Sequence, residues 1–351
     1  MSFDKRQTNI AKGIAILLLL WHHLFYNKPE RYSDFVSLFY FKSVPIECFF
    51  ADFCKVCVSI FLLLSGYGLY KSFEKFERTY SVNGKLPIKK QVVFVKNHLL
   101  KLMLGFWFIY LIFVPMGILF GRPFWEVYEF NPLYFITDFF GLSSLFGTPT
   151  MNPTWWYMRI AIGLYLLLPV LYKVLKYSAE LLLSISFFAL ILPLPYFERF
   201  KIWLFPFVLG LCFSKYNLFD KFEKRLNSGI KKISVCFLVV AITAYLRQNP
   251  FYVKLNIDAF FAVAVVLFAF LLLSKIPVLN KVIEELGKYS AQIFMFHTFI
   301  YSYYFKNLIY GCKYSLLIFV VMTIVCYIIA RLLEWLKHIV RYDKLLIKLT
   351  K

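Results

Sequence analysis

The run A-K-G-I-A-I-L-L-L-L-W-H-H-L-F, Ala11–Phe25, decides how this chain is read. It is apolar apart from Lys12, His22 and His23 and has the character of a membrane-spanning helix. Ionisable groups at bilayer depth are costly and usually functional. Eleven positions separate Lys12 from His23. On an α-helix that is three turns plus about 20°, so both share one face, roughly 16 Å apart along the axis. His22 lies about 100° away from His23 and is expected to face a packing surface. Lys12 taken alone also reads as a snorkelling anchor at a helix end. The pair together marks where chemistry is expected.

Composition agrees with a membrane protein. Of 351 residues, 61% are hydrophobic, 21% aromatic and only 17% charged, and the mean hydropathy is +0.67. Soluble domains run about 45–50% apolar and about 25% charged. The net charge of +21 is spread over loops between apolar runs, the pattern of cationic loops on an anionic membrane surface. No nucleic-acid partner is therefore expected. Seven cysteines, an odd number, give no disulfide framework and no metal spacing. Cys54 and Cys57 form a lone C-x-x-C that opens an apolar run. No cleavable leader is expected, because the first apolar run lacks a small-residue cleavage site.

The expected fold is all-α: a polytopic integral membrane helical bundle of about ten transmembrane helices, forming one domain over residues 1–351. Crossing a bilayer takes about 20 mostly apolar residues. Ten runs qualify: 9–27, 49–70, 97–120, 155–173, 180–197, 201–215, 231–247, 257–274, 289–309 and 315–337. The fifth and sixth are the weakest, being interrupted by Pro193, Pro195 and Pro206. Pro132–Phe146 is too short to cross and reads as interfacial or re-entrant. Lys and Arg concentrate on the cytoplasmic side of membranes. With the N-terminus inside, cytoplasmic segments hold 25 of them and outer segments 10, among them Lys28, Arg31 and Arg122. Both termini are then cytoplasmic.

That topology sorts the polar residues by depth. Lys12 lies near the cytoplasm and His23 near the outer face. His98 and Lys101, one turn apart on a common face, lie at the cytoplasmic end of the third span. Trp155, Trp156 and Arg159 lie at the outer end of the fourth, and His297 near the middle of the ninth. Each has a plainer reading. A single buried His can simply bridge two helices, and tryptophans form ordinary interfacial belts. Their recurrence within one apolar bundle favours a functional site.

At these residues a resemblance enters. K-G-I-A-I-L-L-L-L-W-H-H (Lys12–His23) resembles the first helix of membrane-bound acyltransferase family 3, the sugar and polysaccharide O-acyltransferases. That family places an Arg there, then ten residues, then a catalytic His. S-I-F-L-L-L-S-G-Y-G-L-Y (Ser59–Tyr70) is similar to its F-x-x-S-G-F segment, and K-N-H-L-L-K (Lys96–Lys101) to its Arg-x-x-Arg. P-T-W-W-Y-M-R-I-A-I-G-L-Y (Pro153–Tyr165) fits its Trp-to-Tyr spacing through Trp156 and Tyr165. L-G-K-Y-S-A-Q-I-F-M-F-H (Leu286–His297) resembles its late L-G-x-x-S-x-x-I-Y-x-x-H helix. The likeness covers essentially the whole chain. Lys12, His98 and Lys101 stand where the family has arginines, and the two lysines keep the charge but lose the planar fork. Ala161 stands where many members carry Glu, with Arg159 nearby. The hydrolase-like extension of some members is not expected.

The resemblance implies acyl transfer from an acyl-CoA, most simply acetyl-CoA, to a hydroxyl of a glycan or sugar-lipid acceptor. His23 would be the general base, or would take the acyl group itself. His is the side chain suited to proton transfer near neutral pH. Lys12, His98 and Lys101 would attract the donor's phosphates. His297, Arg159, Trp156, Tyr165 and Ser65 would support the acceptor side, and Asp52 or Asp258 would partner an ionised His23. The implied partners are the donor, the glycan or sugar-lipid and membrane lipids, with no metal and no permanently bound cofactor. The implied location is a bacterial inner (plasma) membrane. Two alternatives stay open: a polysaccharide or sugar-lipid transporter or flippase, and an inactive glycan-assembly scaffold.

Overall fold

The computed structural model of the protein describes residues 3–26, 28–193, 197–225, 229–273 and 275–350. These are overwhelmingly helical. Among them the only strands are the two-residue β1 (Tyr40–Phe41) and β2 (Val44–Pro45), paired antiparallel.

Helix α1 (Lys5–Leu24) carries the opening run and ends one residue past His23. The second expected span is two helices, α2 (Ile46–Cys54) and α3 (Cys57–Tyr80), with Cys54 and Cys57 at the break and no disulfide between them. After α4 (Ile88–Met116), three short helices, α5 (Phe124–Val127), α6 (Pro132–Phe139) and α7 (Ser143–Phe146), occupy the region read as too short to cross. Then come α8 (Trp156–Tyr177), α9 (Ala179–Ile191), α10 (Glu198–Lys215) and α11 (Leu218–Arg225). They are followed by α12 (Gly229–Leu246), α13 (Pro250–Lys254), α14 (Ile257–Leu273) and α15 (Pro277–Lys288). The last elements are α16 (Ser290–Thr298), a π-helical stretch Phe299–Tyr304, α17 (Lys306–Tyr310), α18 (Ser315–Ile339) and α19 (Tyr342–Thr350). Among the described residues, five stretches are long and apolar enough to cross a membrane: Ile46–Tyr80, Ile88–Met116, Pro153–Tyr177, Gly229–Leu246 and Ser315–Ile339.

Local chemistry explains the helix starts. Asn131, Asn152 and Asn249 each precede a proline, and each side chain accepts the backbone N–H two residues on. Asparagine is a strong N-cap and proline is pre-organised for the first helical position. Ser178 caps α9 by accepting the Leu181 N–H. The expectation that Pro206 interrupts a helix is corrected, because α10 runs through it. Neighbouring helices and local adjustment let apolar helices tolerate an internal proline. Pro193 lies just beyond the end of α9, and Pro195 falls outside the described residues. The ninth expected span, 289–309, is not one regular helix: the chain changes from α16 to the wider π-helical turn directly after Thr298.

Two compact units make up the chain: Met1–Leu19, Phe53–Gln91 and Leu167–Lys288 form one, and Leu20–Asp52, Val92–Leu166 and Tyr289–Lys351 the other. In the first unit, glycines allow helices to touch backbone to backbone. A side chain at Gly66 would collide with the Phe207 carbonyl, and one at Gly210 with the Leu63 carbonyl, so α3 and α10 cross on a reciprocal glycine pair. Gly13 and Gly287 do the same for α1 and α15, against Ile283 and Asn9 respectively. Small residues at such crossings give the close packing that holds helices together in lipid. Arg247 and Asp258 form a largely buried ion pair at 2.5 Å. The Phe3 ring stacks on Phe219 at 4.2 Å, and the Phe3 N–H donates to Asp220.

In the second unit, buried carboxylates organise the segments between the long helices. Glu47 accepts from the Ser37 hydroxyl, the Leu38 N–H and the Ser315 hydroxyl at 2.6–2.8 Å. Asp138 accepts from the Tyr128 and Ser143 hydroxyls and the Met151 N–H. Burial raises the Asp138 carboxyl above the usual carboxylate range, against the pull of those donors.

The glycine contacts give a sharp contrast within α3. Among the described residues, nothing outside its own helix lies within 4 Å of a side chain placed at Gly68, two residues beyond Gly66. Gly66→Ala is expected to destabilise the protein by about 1–3 kcal/mol through overpacking. Gly68→Ala is expected to be neutral or stabilising by up to about 1 kcal/mol through helix propensity. Thermal unfolding of the two variants in one detergent distinguishes them.

Candidate active site

His23 sits in the last turn of α1, where helix carbonyls have no intrahelical donors. Its ring is half-buried, and among the described residues no hydrogen bond reaches it. Aromatic neighbours hold it instead. The His297 ring centroid is 4.9 Å away, His22 is 5.1 Å away and Tyr301 is 6.1 Å away. The spacing of eleven residues from Lys12 thus leads to a helix end beside a second imidazole.

His297 is fully buried. Its Nδ1 lies 3.1 Å from the Ile293 carbonyl and 2.9 Å from the Phe294 carbonyl. Carbonyl oxygens only accept, so Nδ1 carries the proton and Nε2 of the neutral ring keeps its lone pair. The Thr298 hydroxyl lies 3.5 Å from that Nε2 and 3.4 Å from the Thr154 hydroxyl. Thr154 in turn donates to Asn152 Oδ1 at 2.7 Å. Asn152 Nδ2 and Trp155 Nε1 both donate to the Met295 carbonyl, at 3.0 and 2.9 Å. The start of α8 is thereby fastened to α16 two residues before His297. The π-helical turn that follows brings Tyr301 back over the His297 ring, nearly parallel at 6.1 Å. Such wide turns occur frequently at functional sites.

The other residues singled out from the sequence have the following surroundings. His98 stacks on Phe94 at 4.0 Å, and its Nδ1 donates to the Phe94 carbonyl. Tyr165 is its edge-on neighbour at 6.2 Å. Lys101 is exposed and Trp156 half-buried. Arg159 donates to the Ser144 carbonyl at 2.8 Å. Ser65 and Lys12 belong to the first unit. Lys12 is half-buried, and among the described residues it has no ion pair or hydrogen bond. Asp258 is committed to Arg247. His22 donates to the Ala51 carbonyl at 2.7 Å.

Sequence reasoning did not select Asn152, Thr154, Thr298, Tyr301 or Arg31 as site residues, and it chose Trp156 over Trp155. Two signals were available. Asn152–Pro153 announces a capped helix start, and Tyr301 is one helical turn beyond His297.

These features define a helical membrane protein whose polar site centres on two imidazoles at the end of its first helix. Residues 7–331, spanning parts of both units, match the acyltransferase domain. The chain belongs to acyltransferase family 3. No curated protein and no solved structure matches it.

The fastening of α8 to α16 has a measurable cost. Trp155→Phe removes one buried donor and is expected to lower stability by about 0.5–1.5 kcal/mol. Asn152→Ala removes both a donor and the cap of the Pro153 turn, and is expected to cost about 1–3 kcal/mol. Unfolding in detergent, followed by tryptophan fluorescence for Asn152→Ala and by circular dichroism for both, gives the order.

Proposed function

We propose that the protein moves an acyl group, acetyl in the simplest case, from acyl-CoA to a hydroxyl of a cell-surface glycan or its sugar-lipid precursor. Family membership supports acyl transfer. The observation that carries the mechanism is the His23 ring, packed on His297 but with no hydrogen bond from any described residue. A nitrogen so placed is available to a substrate hydroxyl. A general base must come within hydrogen-bond reach of the proton it removes.

The reaction then balances simply. His23 accepts the proton of the acceptor hydroxyl as its oxygen attacks the thioester carbonyl. The carbon–sulfur bond breaks, and the leaving thiolate takes the proton from the imidazolium. His297, with Nδ1 anchored to its own helix, keeps the His23 ring from turning away. Lys12, uncompensated and three turns earlier on α1, suits a donor phosphate, as does exposed Lys101 with His98 one turn before it. The excess of Lys and Arg on alternate loops supports ten spans with both termini in the cytoplasm. The donor would then enter from inside and the acceptor outside, across a bacterial inner membrane.

His23→Gln keeps the size and polarity of the site but removes the base. It is expected to lower the acyl-transfer rate by about 10²–10⁴-fold. Membranes incubated with labelled acetyl-CoA provide the assay, with ester on glycan as readout. Normal ester formation by a well-folded His23→Gln protein contradicts the proposal. A transporter would instead change glycan export and leave its ester content unaltered.

A further inference from the structure

Arg31 entered the sequence reading only as one of the outer-loop cations, yet its guanidinium is hydrogen-bonded to the end of the His23 helix. It lies in the 3₁₀ turn Pro29–Asp34, where proline fixes the backbone at the first position. Its Nη1 donates to the His23 carbonyl at 3.0 Å. Its Nη2 donates to the Tyr310 hydroxyl, and that hydroxyl donates to the Leu24 carbonyl at 2.8 Å. Two of the unpartnered carbonyls at the end of α1 are thus closed by one guanidinium and one phenol. The same guanidinium lies over the faces of Tyr301 and Tyr310, 5.7 and 5.6 Å from their centroids. Asp34 stands 3.7 Å from Nε, and Lys306 lies 3.5 Å from the other Asp34 oxygen.

Arg31 therefore reaches His23 by two routes. One is the backbone carbonyl of His23 itself. The other is Tyr301, whose ring is 6.1 Å from both His23 and His297. Because no described residue hydrogen-bonds the His23 ring, packing and backbone alone set its place. Only a planar fork of donors can hold a carbonyl and a hydroxyl at once while stacking on aromatic faces. Cations at a helix C-terminus are also favoured by the helix dipole.

We propose that Arg31 is the positioning residue of the acyl-transfer site: it locks the last turn of α1 so that the His23 ring stays against His297, aimed at the acceptor hydroxyl. This rests on the acyltransferase reading above. Misplacing a reacting group by about 1 Å can cost about 10²-fold in rate. Loss of Arg31 should therefore lower kcat and leave donor binding alone.

The test uses the full-length protein in its native membranes, with labelled acetyl-CoA varied at fixed endogenous acceptor. Arg31→Ala is expected to lower kcat about 100-fold with the KM for acetyl-CoA unchanged. Added methylguanidinium is expected to restore part of the rate, whereas methylammonium does not. Tyr310→Phe, which keeps the ring and deletes the bridging hydroxyl, is expected to lower kcat to a smaller degree and serves if Arg31→Ala does not fold. A wild-type kcat in Arg31→Ala or in Tyr310→Phe overturns the proposal. So does a loss in folded Arg31→Ala that methylguanidinium leaves untouched, or one that appears in KM alone. If the wild-type protein itself transfers no acetyl group, the underlying acyltransferase reading fails instead.

Discussion

His297 donates its Nδ1–H to two carbonyls of its own helix, and much of the site follows from that bond. It fixes the tautomer, leaves a lone pair on Nε2, and holds the ring as a wall for His23 to pack against. A buried imidazole without such a partner would be an unsatisfied polar group in an apolar setting, costing about 1–3 kcal/mol. Around it the second unit builds a hydrogen-bonded frame. Thr298, Thr154 and Asn152 line up behind Nε2, while Trp155 and Asn152 grip the Met295 carbonyl. The His23 ring takes no hydrogen bond from any described residue, which suits the role proposed for it.

The first unit solves a different problem. Apolar helices gain no hydrophobic free energy from leaving lipid for one another, so association depends on close packing. The Gly66–Gly210 and Gly13–Gly287 crossings provide it, by removing side chains where two backbones meet. Gly13 directly follows Lys12, and Gly287 lies in the run that ends at His297. Glycines that read as motif letters thus have a packing role, and they fix the helix that carries both Lys12 and His23.

How far the sequence revealed this depends on the range of the interaction. Hydropathy located the five described helices that are long and apolar enough to cross a membrane, since burial in lipid selects composition over some twenty residues. The spacing of Lys12 and His23 gave a shared face, since helical geometry is local. Pro206 misled, because a proline's effect depends on which neighbours can satisfy the freed carbonyl, and those are distant in sequence. The break of the ninth span after Thr298 was likewise invisible: a π-helical turn changes one hydrogen-bond register without altering composition. Arg31 was hidden for a similar reason. An arginine in a short polar loop carries no sign that its fork closes a helix end, and its partner Tyr310 lies 279 residues away. Patterns within one helix were therefore legible, and contacts between segments far apart in sequence were not.

In the proposed reaction, acyl transfer takes place at the His23 ring beside His297. The test is a structure of the protein bound to a non-hydrolysable thioether analogue of acetyl-CoA. The carbon corresponding to the thioester carbonyl is expected within about 4–5 Å of a His23 ring nitrogen, leaving room for one hydroxyl oxygen in hydrogen-bond contact. An analogue bound with that carbon far from His23, and no path for a hydroxyl between them, would contradict transfer at His23.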